Sequence, residues 1–308
     1  MKSRRVLAAL SAALLAVAVS SCSKSGAGKP ATSVRDALKF VEASNTPLAQ
    51  PGAFLIPKLI GDAATNHLKR LERFRHFSKQ AGFEACSFPE GPGAKQPLRY
   101  LLFKPKADLQ QPLSLVLSLH GGGPRRHFED LLTPYAPGFA YGLGRFTSPE
   151  TQQEHPCFVV APWSNGRGWD EANLATVLAL LDHLQAEFKI DAARIYVTGQ
   201  SMGGFGTWSI ITQVPARFAA AVPICGGGAP RSVGVAKEIP IWAFHGSTDT
   251  VVPVEQTRGM IRALLETGAH PIYWEYTGAT HADTAERAYC EPELIEWMFA
   301  QKKSTAGR

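Results

Sequence analysis

Residues 194–207 read RIYVTGQSMGGFGT, an apolar strand pattern that leads into Gly199–Gly203 (GQSMG) and then into a helical pattern. The order of strand, G-x-S-x-G and helix is typical of a nucleophile elbow, in which a serine occupies a strained turn. Glycines are expected on either side of the serine, because side chains there would collide where the strand and the helix approach. The bare pattern often arises by chance, so its weight comes from the flanking strand and helix. The segment predicts that Ser201 is a nucleophile.

From Leu98 onward, strand-like apolar runs alternate with helical patterns. This alternation predicts an α/β fold with a mostly parallel central sheet and helices on both faces, and it places catalytic residues in loops beyond the carboxyl ends of the strands. The predicted strands are Tyr100–Phe103, Leu113–Leu119, Cys157–Ala161, Ile195–Thr198, Ala219–Ile224, Pro240–Phe244 and Ile272–Tyr276. The predicted helices are Glu171–Phe188, Met202–Val214, Glu255–Glu266 and Pro292–Gln301.

The serine needs a base and an acid, which in this arrangement follow it in the chain order Ser, acid, His. His281 is the expected base, since it follows the last predicted strand, whereas His120 and His245 close earlier strands. Asp249, in the loop after the preceding strand, is the expected acid, and His245 is expected to hold that loop by hydrogen bonding. Asp283 is the rival acid, but it lies only two residues from His281 and would have difficulty reaching the far ring nitrogen.

A tetrahedral intermediate requires preorganised donors for its negatively charged oxygen. One donor is expected from the backbone N–H of Met202, directly after the serine. The second is expected from the loop after strand Leu113–Leu119, which continues into residues 120–123 (HGGG), so that Gly121 and Gly122 are the predicted donors. A flexible turn with a core-facing histidine is the alternative for this motif. The HGGG motif precedes the nucleophile elbow at the separation expected for this fold, which favours its role in the oxyanion hole.

Four side chains near these motifs are candidates for substrate contact. Trp163 and Trp169 lie in the loop 162–170 (PWSNGRGWD), where they could form a wall for an aromatic or sugar-containing substrate. The alternative is that they cap the core beneath the loop. His120 and Gln200 border the two catalytic motifs and are the further candidates.

The sequence predicts no metal and no cofactor. Its His, Cys and Asp residues lack metal-ligand spacing, and its glycine-rich segments lack the context of phosphate or dinucleotide loops. The net charge of +6 is dispersed except for a basic run between Lys69 and Lys79, which lacks an aromatic platform for bases. We therefore expect a solvated helix face and no nucleic-acid partner.

The N-terminus has the layout of a bacterial signal peptide of the lipoprotein type over residues 1–21. A basic segment begins at Lys2, and an apolar stretch follows it. Residues 19–22 (VSSC) then resemble a lipobox with Cys22 as the lipid-bearing residue. An ordinary signal peptide with a chance cysteine is the alternative. We expect export and attachment to the cell envelope through Cys22, in the outer membrane if the source is Gram-negative, since Ser23 rather than Asp follows the cysteine.

The remaining domain boundaries follow from composition. Residues 22–33 form a predicted flexible tether, residues 34–97 an extension packed on the main domain, and residues 98–302 the catalytic domain. The sequence leaves the oligomeric state open. It also leaves open whether the other cysteines form disulfides, because their even number permits pairing but their spacing matches no known framework. These cysteines are Cys86, Cys157, Cys225 and Cys290.

Three segments resemble bacterial phospholipase/carboxylesterase-like hydrolases of the "predicted peptidase" type. They are residues 194–208 (RIYVTGQSMGGFGTW), 221–228 (AVPICGGG) and 241–246 (IWAFHG). Such hydrolases are related to dienelactone hydrolase, to feruloyl and acetylxylan esterases, and to polyhydroxybutyrate depolymerases. The resemblance covers about Leu98 to Gln301 and implies the α/β-hydrolase fold, esterase activity and a triad of Ser201, Asp249 and His281.

The expected activity is cleavage of small acyl or aryl esters, including carbohydrate-linked esters, through an acyl-enzyme intermediate. A serine peptidase of the prolyl-oligopeptidase-like type is the first alternative. The second is an anchored accessory or binding protein whose triad is idle. The presence of every triad residue in the sequence argues against an idle triad.

Overall fold

The computed structural model of the chain describes residues 54–58, 82–89, 96–123, 127–132 and 137–303. Contacts divide the chain into two units, Met1–Ile56 and Pro57–Arg308, and nearly all described residues belong to the second. A short strand, Phe54–Lys58, precedes the main sheet in the chain. The predicted signal peptide, Cys22, the tether, the basic run and most of the predicted extension lie outside the described residues.

The described residues from Glu84 to Tyr276 supply eight consecutive strands of one mixed sheet. The strands are β1 (Glu84–Phe88), β2 (Leu98–Phe103), β3 (Leu113–Leu119), β4 (Cys157–Pro162), β5 (Ile190–Gln200), β6 (Ala220–Ile224), β7 (Trp242–Gly246) and β8 (Ile272–Tyr276). Their order in the sheet is β8-β7-β6-β5-β3-β4-β2-β1. Strands β3 to β8 are parallel to one another, and β2 is antiparallel to both of its neighbours, β1 and β4.

The central strands are buried over most of their length. In β3, residues 115–117 (LVL) and Leu119 have no exposed surface, and β4 and β6 are buried at every position. Continuous apolar runs of this kind are expected where both faces of a parallel sheet are covered. Since the parallel strands all end at the same edge of the sheet, the loops after β3, β5, β6, β7 and β8 meet there.

Seven α-helices lie within the described residues. They are α1 (Pro137–Phe146), α2 (Pro149–Glu154), α3 (Glu171–Glu187), α4 (Met202–Gln213), α5 (Glu255–Glu266), α6 (His281–Tyr289) and α7 (Pro292–Ala300). Short 3₁₀ turns occur at Phe128–Leu132, Pro215–Arg217 and Pro230–Ala236. Across the described ranges, none of the helices is long and apolar enough to cross a membrane.

The predicted α/β architecture is confirmed, and every predicted strand and helix overlaps an observed one. Strand β1 was assigned to the extension before residue 98, but it pairs in antiparallel register with β2 and therefore belongs to the sheet. Helices α1, α2 and α6 were not predicted. Helix α6 lies where the sequence predicts a loop, since the helix is short and polar and begins at His281 itself.

The question of disulfides is answered for the described cysteines. Cys86, Cys157, Cys225 and Cys290 are all free thiols, and the last three are buried. Cys157 and Cys225 sit beside apolar strands, where a thiol behaves as a small apolar side chain. Burial accordingly raises the pKa of the Cys157 thiol to about 12.

The strand-to-helix turn between β5 and α4 depends on backbone contacts that leave no room for side chains. A Cβ added to Gly203 would overlap the carbonyl oxygen of Leu119 and would lie 2.9 Å from the carbonyl oxygen of His120. A Cβ added to Gly199 would overlap the carbonyl group of Gly203. Both glycines of the G-x-S-x-G motif are therefore required by close approach of the backbone.

Replacing Gly203 by alanine should lower the free energy of unfolding by about 3 kcal/mol, because the new methyl group meets backbone that cannot yield. Gly259, in the middle of α5, is the matched control, since its added Cβ would only touch Pro230 Cγ at 3.7 Å. Gly259→Ala should raise stability by about 0.5–1 kcal/mol through helix propensity. Urea unfolding of the three proteins measures both effects, and equal stabilities for Gly203→Ala and the parent would contradict the steric account.

Candidate active site

Ser201 stands at the strand-to-helix turn in a strained backbone conformation. Its φ of 57° and ψ of −120° are unusual for a residue other than glycine. Its N–H donates to the carbonyl oxygen of Ile224 at 2.8 Å, and its own carbonyl oxygen accepts from the N–H of Phe205 at 3.0 Å. The backbone is thus held on both sides of the turn, and the half-buried side chain projects from the carboxyl end of β5.

Asp249 and His281 are joined by a short hydrogen bond, from His281 Nδ1 to Asp249 Oδ2 at 2.6 Å. Asp249 follows β7, and His281 begins α6, directly beyond the loop after β8. The Asp249 side chain is fully buried, whereas that of His281 is 16% exposed. Since Asp249 occupies Nδ1, the other ring nitrogen of His281, Nε2, is the one available for proton transfer.

The Asp249 carboxylate is held in its ionised form. Its Oδ1 accepts backbone N–H groups from Val251 at 2.9 Å and Val252 at 2.8 Å. Burial by itself would raise the pKa of Asp249, but the hydrogen bonds from Val252, His281 and Val251 outweigh it and keep the pKa below its usual value. The acid therefore remains negatively charged at any pH at which a histidine acts as a base.

Asp283, the rival acid, is occupied at the start of its own helix. Its carboxylate accepts from the backbone N–H of Thr280 at 3.0 Å and from the Thr280 hydroxyl at 2.7 Å, and the Thr280 hydroxyl in turn accepts from the N–H of Asp283. The two residues form a capping box for α6. Asp283 thus orients the helix that carries His281 and does not contact the imidazole through its carboxylate.

Residues 224 and 225 contact the turn that carries Ser201 and the start of the helix that carries His281. Ile224 accepts the N–H of Ser201, and the thiol of Cys225, the next residue, lies 3.8 Å from the carbonyl oxygen of His281. Within the described residues, no hydrogen bond joins the Ser201 hydroxyl to His281. Contacts between a nucleophile and its base are often long in the absence of substrate and tighten when substrate binds.

Two of the three predicted oxyanion donors, Gly121 and Met202, lie next to Ser201. Gly121 approaches Ser201 so closely that a Cβ added to it would lie 3.5 Å from Ser201 Cβ. Met202 is the first residue of α4, where the backbone N–H groups of a helix have no partner within the helix. Gly122 is exposed, one residue beyond Gly121. The half-buried Gln200 also faces Gly121, with its Oε1 3.4 Å from the same added Cβ.

The structure contradicts the assignment of His120 as a substrate contact. Its side chain is fully buried, and its Nε2 accepts the backbone N–H of Ser164 at 3.0 Å. Its Nδ1 must therefore carry the proton, which it donates to the carbonyl oxygen of Gly121 at 2.7 Å. His120 connects the loop after β3 to the loop after β4 and is a structural residue.

The two tryptophans of the loop after β4 differ in their surroundings. Trp169 is 8% exposed, packs over Gly206, and donates from Nε1 to the carbonyl oxygen of His120 at 2.9 Å. This favours the core-capping alternative for Trp169. Trp163 is half-buried, and its ring meets Phe128 edge to face with centroids 6.4 Å apart. Trp163 is thus the more exposed of the two tryptophans.

Two clusters in the described part of the chain bring three metal-type ligand atoms within 4.8 Å of one another. The first is Cys225, His245 and Asp249, in which the carboxylate is already bound by the groups described above. The second, at the surface, is Glu154, His155 and Glu296, in which His155 Nε2 pairs with Glu296 Oε1 at 2.7 Å. Hydrogen bonds thus hold Asp249 in the first cluster, and an ion pair joins two of the three residues in the second.

Sequence reasoning missed the backbone groups that hold the acid. Val251 and Val252 contribute through their N–H groups, and backbone donors carry no signal in residue identity. Thr257, which lies 2.7 Å from His245 Nδ1 behind the acid, was also missed because it is an ordinary position on α5. The sequence pattern did locate His245 itself, as the residue that closes β7.

Residues 160–302 match the family model described as the dienelactone hydrolase family. The chain is 27% identical to a bifunctional acetylxylan esterase/xylanase of Neocallimastix patriciarum, in a match covering 48% of this chain and 21% of that protein. It is 25% identical to feruloyl esterase C of Emericella nidulans, in a match covering 48% of this chain and 53% of that protein.

Among solved structures, the chain resembles a thermostable esterase with a TM-score of 0.66 and 36% sequence identity. That match covers 72% of this chain and 63% of the esterase. The chain therefore spans less than two thirds of the length of each of these relatives. Together the matches identify an α/β-hydrolase fold, as the resemblance at the elbow implied.

Proposed function

We propose that this chain, which carries a dienelactone hydrolase family domain over residues 160–302, is a serine carboxylesterase with Ser201, Asp249 and His281 as its triad. The observation that carries the proposal is the 2.6 Å hydrogen bond between Asp249 and His281, formed beside a serine in a strained elbow. A buried carboxylate bound to one ring nitrogen leaves the other as a base, which is the arrangement that activates a serine.

In the proposed reaction, Ser201 Oγ attacks the carbonyl carbon of the ester while His281 Nε2 takes the hydroxyl proton. The negative charge on the carbonyl oxygen is met by the backbone N–H groups of Met202 and Gly121. His281 then gives its proton to the departing alcohol oxygen, which leaves an acyl group on Ser201. Water repeats the sequence as the nucleophile, releases the acid and restores the serine.

The proposed substrates are small acyl or aryl esters, including esters attached to carbohydrate. Relatives named as acetylxylan and feruloyl esterases support this class. The half-buried Trp163 offers an aromatic surface, on which a sugar or an aryl group can pack. The segment between β6 and β7, residues 225–241, contains a 3₁₀ turn and no α-helix that could cover a long acyl chain.

Kinetics of triad variants test the mechanism. Ser201→Ala and His281→Ala should each lower kcat for p-nitrophenyl acetate by about 10⁴-fold or more, and the double variant should lose little beyond either, because nucleophile and base act as one unit. Asp249→Asn should cause a severe but smaller loss. A fluorophosphonate probe should label the parent and not Ser201→Ala. Full esterase activity in Ser201→Ala would exclude the proposed mechanism.

Asp283→Ala is the matched control for the acid. It should keep most of its kcat and lose about 1 kcal/mol of stability, because it removes one half of the capping box of α6. Loss of activity in Asp283→Ala but not in Asp249→Ala would reverse the assignment of the acid.

In the parent, kcat/KM should fall toward acid pH with a single ionisation, as the imidazole of His281 takes up a proton while Asp249 stays ionised.

Substrate preference should follow from Trp163 and from the short segment after β6. Acetyl and butyryl p-nitrophenyl esters should be cleaved faster than the palmitoyl ester, and a peptide p-nitroanilide should be a poor substrate. Trp163→Ala should raise KM for methyl ferulate. Trp169→Phe should lose about 2–3 kcal/mol of stability without a change in KM, since it removes a buried hydrogen bond and leaves a cavity where the larger indole ring packs. Faster turnover of palmitoyl esters would contradict this substrate class.

We also propose, from the sequence alone, that the enzyme acts in the cell envelope and is anchored by lipid at Cys22. Expressed in a Gram-negative host, the parent should incorporate labelled palmitate and partition into detergent, and Cys22→Ala should do neither. Ser23→Asp is the control, because it should keep the label but change sorting between the two membranes. Absence of label from the parent would remove the anchor from the proposal.

A further inference from the structure

Two successive carbonyl groups of the loop after β3 accept hydrogen bonds from buried side chains. The carbonyl oxygen of His120 accepts from Nε1 of Trp169 at 2.9 Å. The next carbonyl oxygen, that of Gly121, accepts from Nδ1 of His120 at 2.7 Å. The direction of this second bond is fixed, because His120 Nε2 accepts the backbone N–H of Ser164 and the single ring proton is therefore on Nδ1.

These two bonds set the directions of the N–H groups that follow. None of the described peptide bonds is cis, and in a trans peptide the C=O and the N–H point in opposite directions. The N–H of Gly121 therefore points away from the indole of Trp169, and the N–H of Gly122 points away from the imidazole of His120. Within the described ranges, neither N–H group donates to another residue. Both are thus available as donors to a substrate.

Trp169 also connects this loop to the helix of the nucleophile. Its indole packs over Gly206 on α4, where an added Cβ would lie 2.7 Å from Trp169 Cγ. The indole meets the imidazole of His120 edge to face, with ring centroids 5.0 Å apart. One side chain therefore contacts both the helix that begins after Ser201 and the loop that brings Gly121 beside it.

The loop after β4 holds Trp169 from both sides. Asn173, buried on α3, donates from Nδ2 to the carbonyl oxygens of Ser164 at 2.9 Å and Gly168 at 2.5 Å. Asp170, which follows Trp169, caps α3 by accepting the N–H of Asn173 at 2.8 Å. The indole N–H is therefore held in place before any substrate binds.

We propose that Trp169 and His120 are positioning residues for the oxyanion hole. By binding the carbonyl groups before and after Gly121, they turn the intervening N–H toward the oxygen that becomes negatively charged during attack by Ser201. The proposal rests on the proposed esterase function. It goes beyond support of the loops, because it assigns an effect on the transition state to two side chains that do not touch the substrate.

The effect is expected on kcat and not on KM. Negative charge develops on the carbonyl oxygen of the ester only as the transition state forms, so a misdirected N–H costs more there than in the bound substrate. A side chain that merely supports the fold would lower stability without this selective loss.

The sharpest test replaces Trp169 in the full-length protein by β-(3-benzothienyl)alanine, which keeps the shape of the indole but has sulfur in place of the N–H. The kcat for p-nitrophenyl acetate should fall by about 10-fold with KM near that of the parent, because one peptide loses its anchor. The inhibition constant of a trifluoromethyl ketone, which forms a charged tetrahedral adduct with serine, should rise by about the same factor.

Trp208→Phe is the matched control for Trp169→Phe. Trp208 lies on α4 and is fully buried, and within the described residues its Nε1 has no hydrogen-bond partner. Both substitutions remove a buried indole and should lower the unfolding midpoint. Only Trp169→Phe should also lower kcat.

A pair of substitutions tests His120 in the same way. The amide nitrogen of asparagine reaches the position of Nδ1, so His120→Asn retains a donor to Gly121, whereas His120→Leu does not. Both lose the acceptor for the N–H of Ser164. His120→Leu should lower kcat by about 10-fold, and His120→Asn by less than about 3-fold.

A parent-like kcat in the benzothienylalanine protein, or equal losses of kcat in Trp169→Phe and Trp208→Phe, would overturn the role of Trp169. Equal losses in His120→Asn and His120→Leu would overturn that of His120. Failure of the proposed esterase function would appear separately, as a parent protein that neither cleaves esters nor reacts with a fluorophosphonate.

Discussion

The buried carboxylate of Asp249 imposes the constraint on which the rest of the site depends. An ionised carboxylate is costly to bury unless hydrogen bonds replace its water, and three donors bind Asp249. Two are backbone N–H groups of its own loop, and the third is Nδ1 of His281 on α6. The loop that carries Asp249, which follows β7, and the start of α6 must therefore form together.

A second constraint, which is steric, holds the nucleophile. Ser201 keeps its strained backbone because glycines let the turn approach the end of β3 and because Ile224 accepts its N–H. The two constraints meet at residues 224 and 225, where Ile224 holds the serine and the thiol of Cys225 lies near the backbone of His281. Adjacent residues at the end of one strand thus contact the backbone of Ser201 and the backbone of His281.

The three histidines at the carboxyl edge of the sheet have different roles, and hydrogen-bond partners distinguish them. His120 and His245 are fully buried and use both ring nitrogens within the protein. His281 has one nitrogen bound to the acid and a side chain that is 16% exposed. In the proposed esterase, the two buried histidines stabilise loops on either side of the nucleophile, and the third meets the substrate.

The sequence by itself determined the α/β fold, the elbow at Ser201, and Asp249 and His281 as the pair beside it, because strand periodicity, glycine spacing and chain order are local properties. Tertiary structure decided what depends on contacts between distant segments. In the tertiary structure, His120 and Trp169 form hydrogen bonds that hold loops, and β1 pairs within the sheet. Asp283 caps the helix in which it lies. Tertiary structure also placed His245 Nε2 at 3.2 Å from the Asp249 oxygen that accepts from His281. Residue identity does not encode these outcomes, since the same histidine or carboxylate serves as a catalyst or a support according to which groups the fold brings within hydrogen-bonding distance.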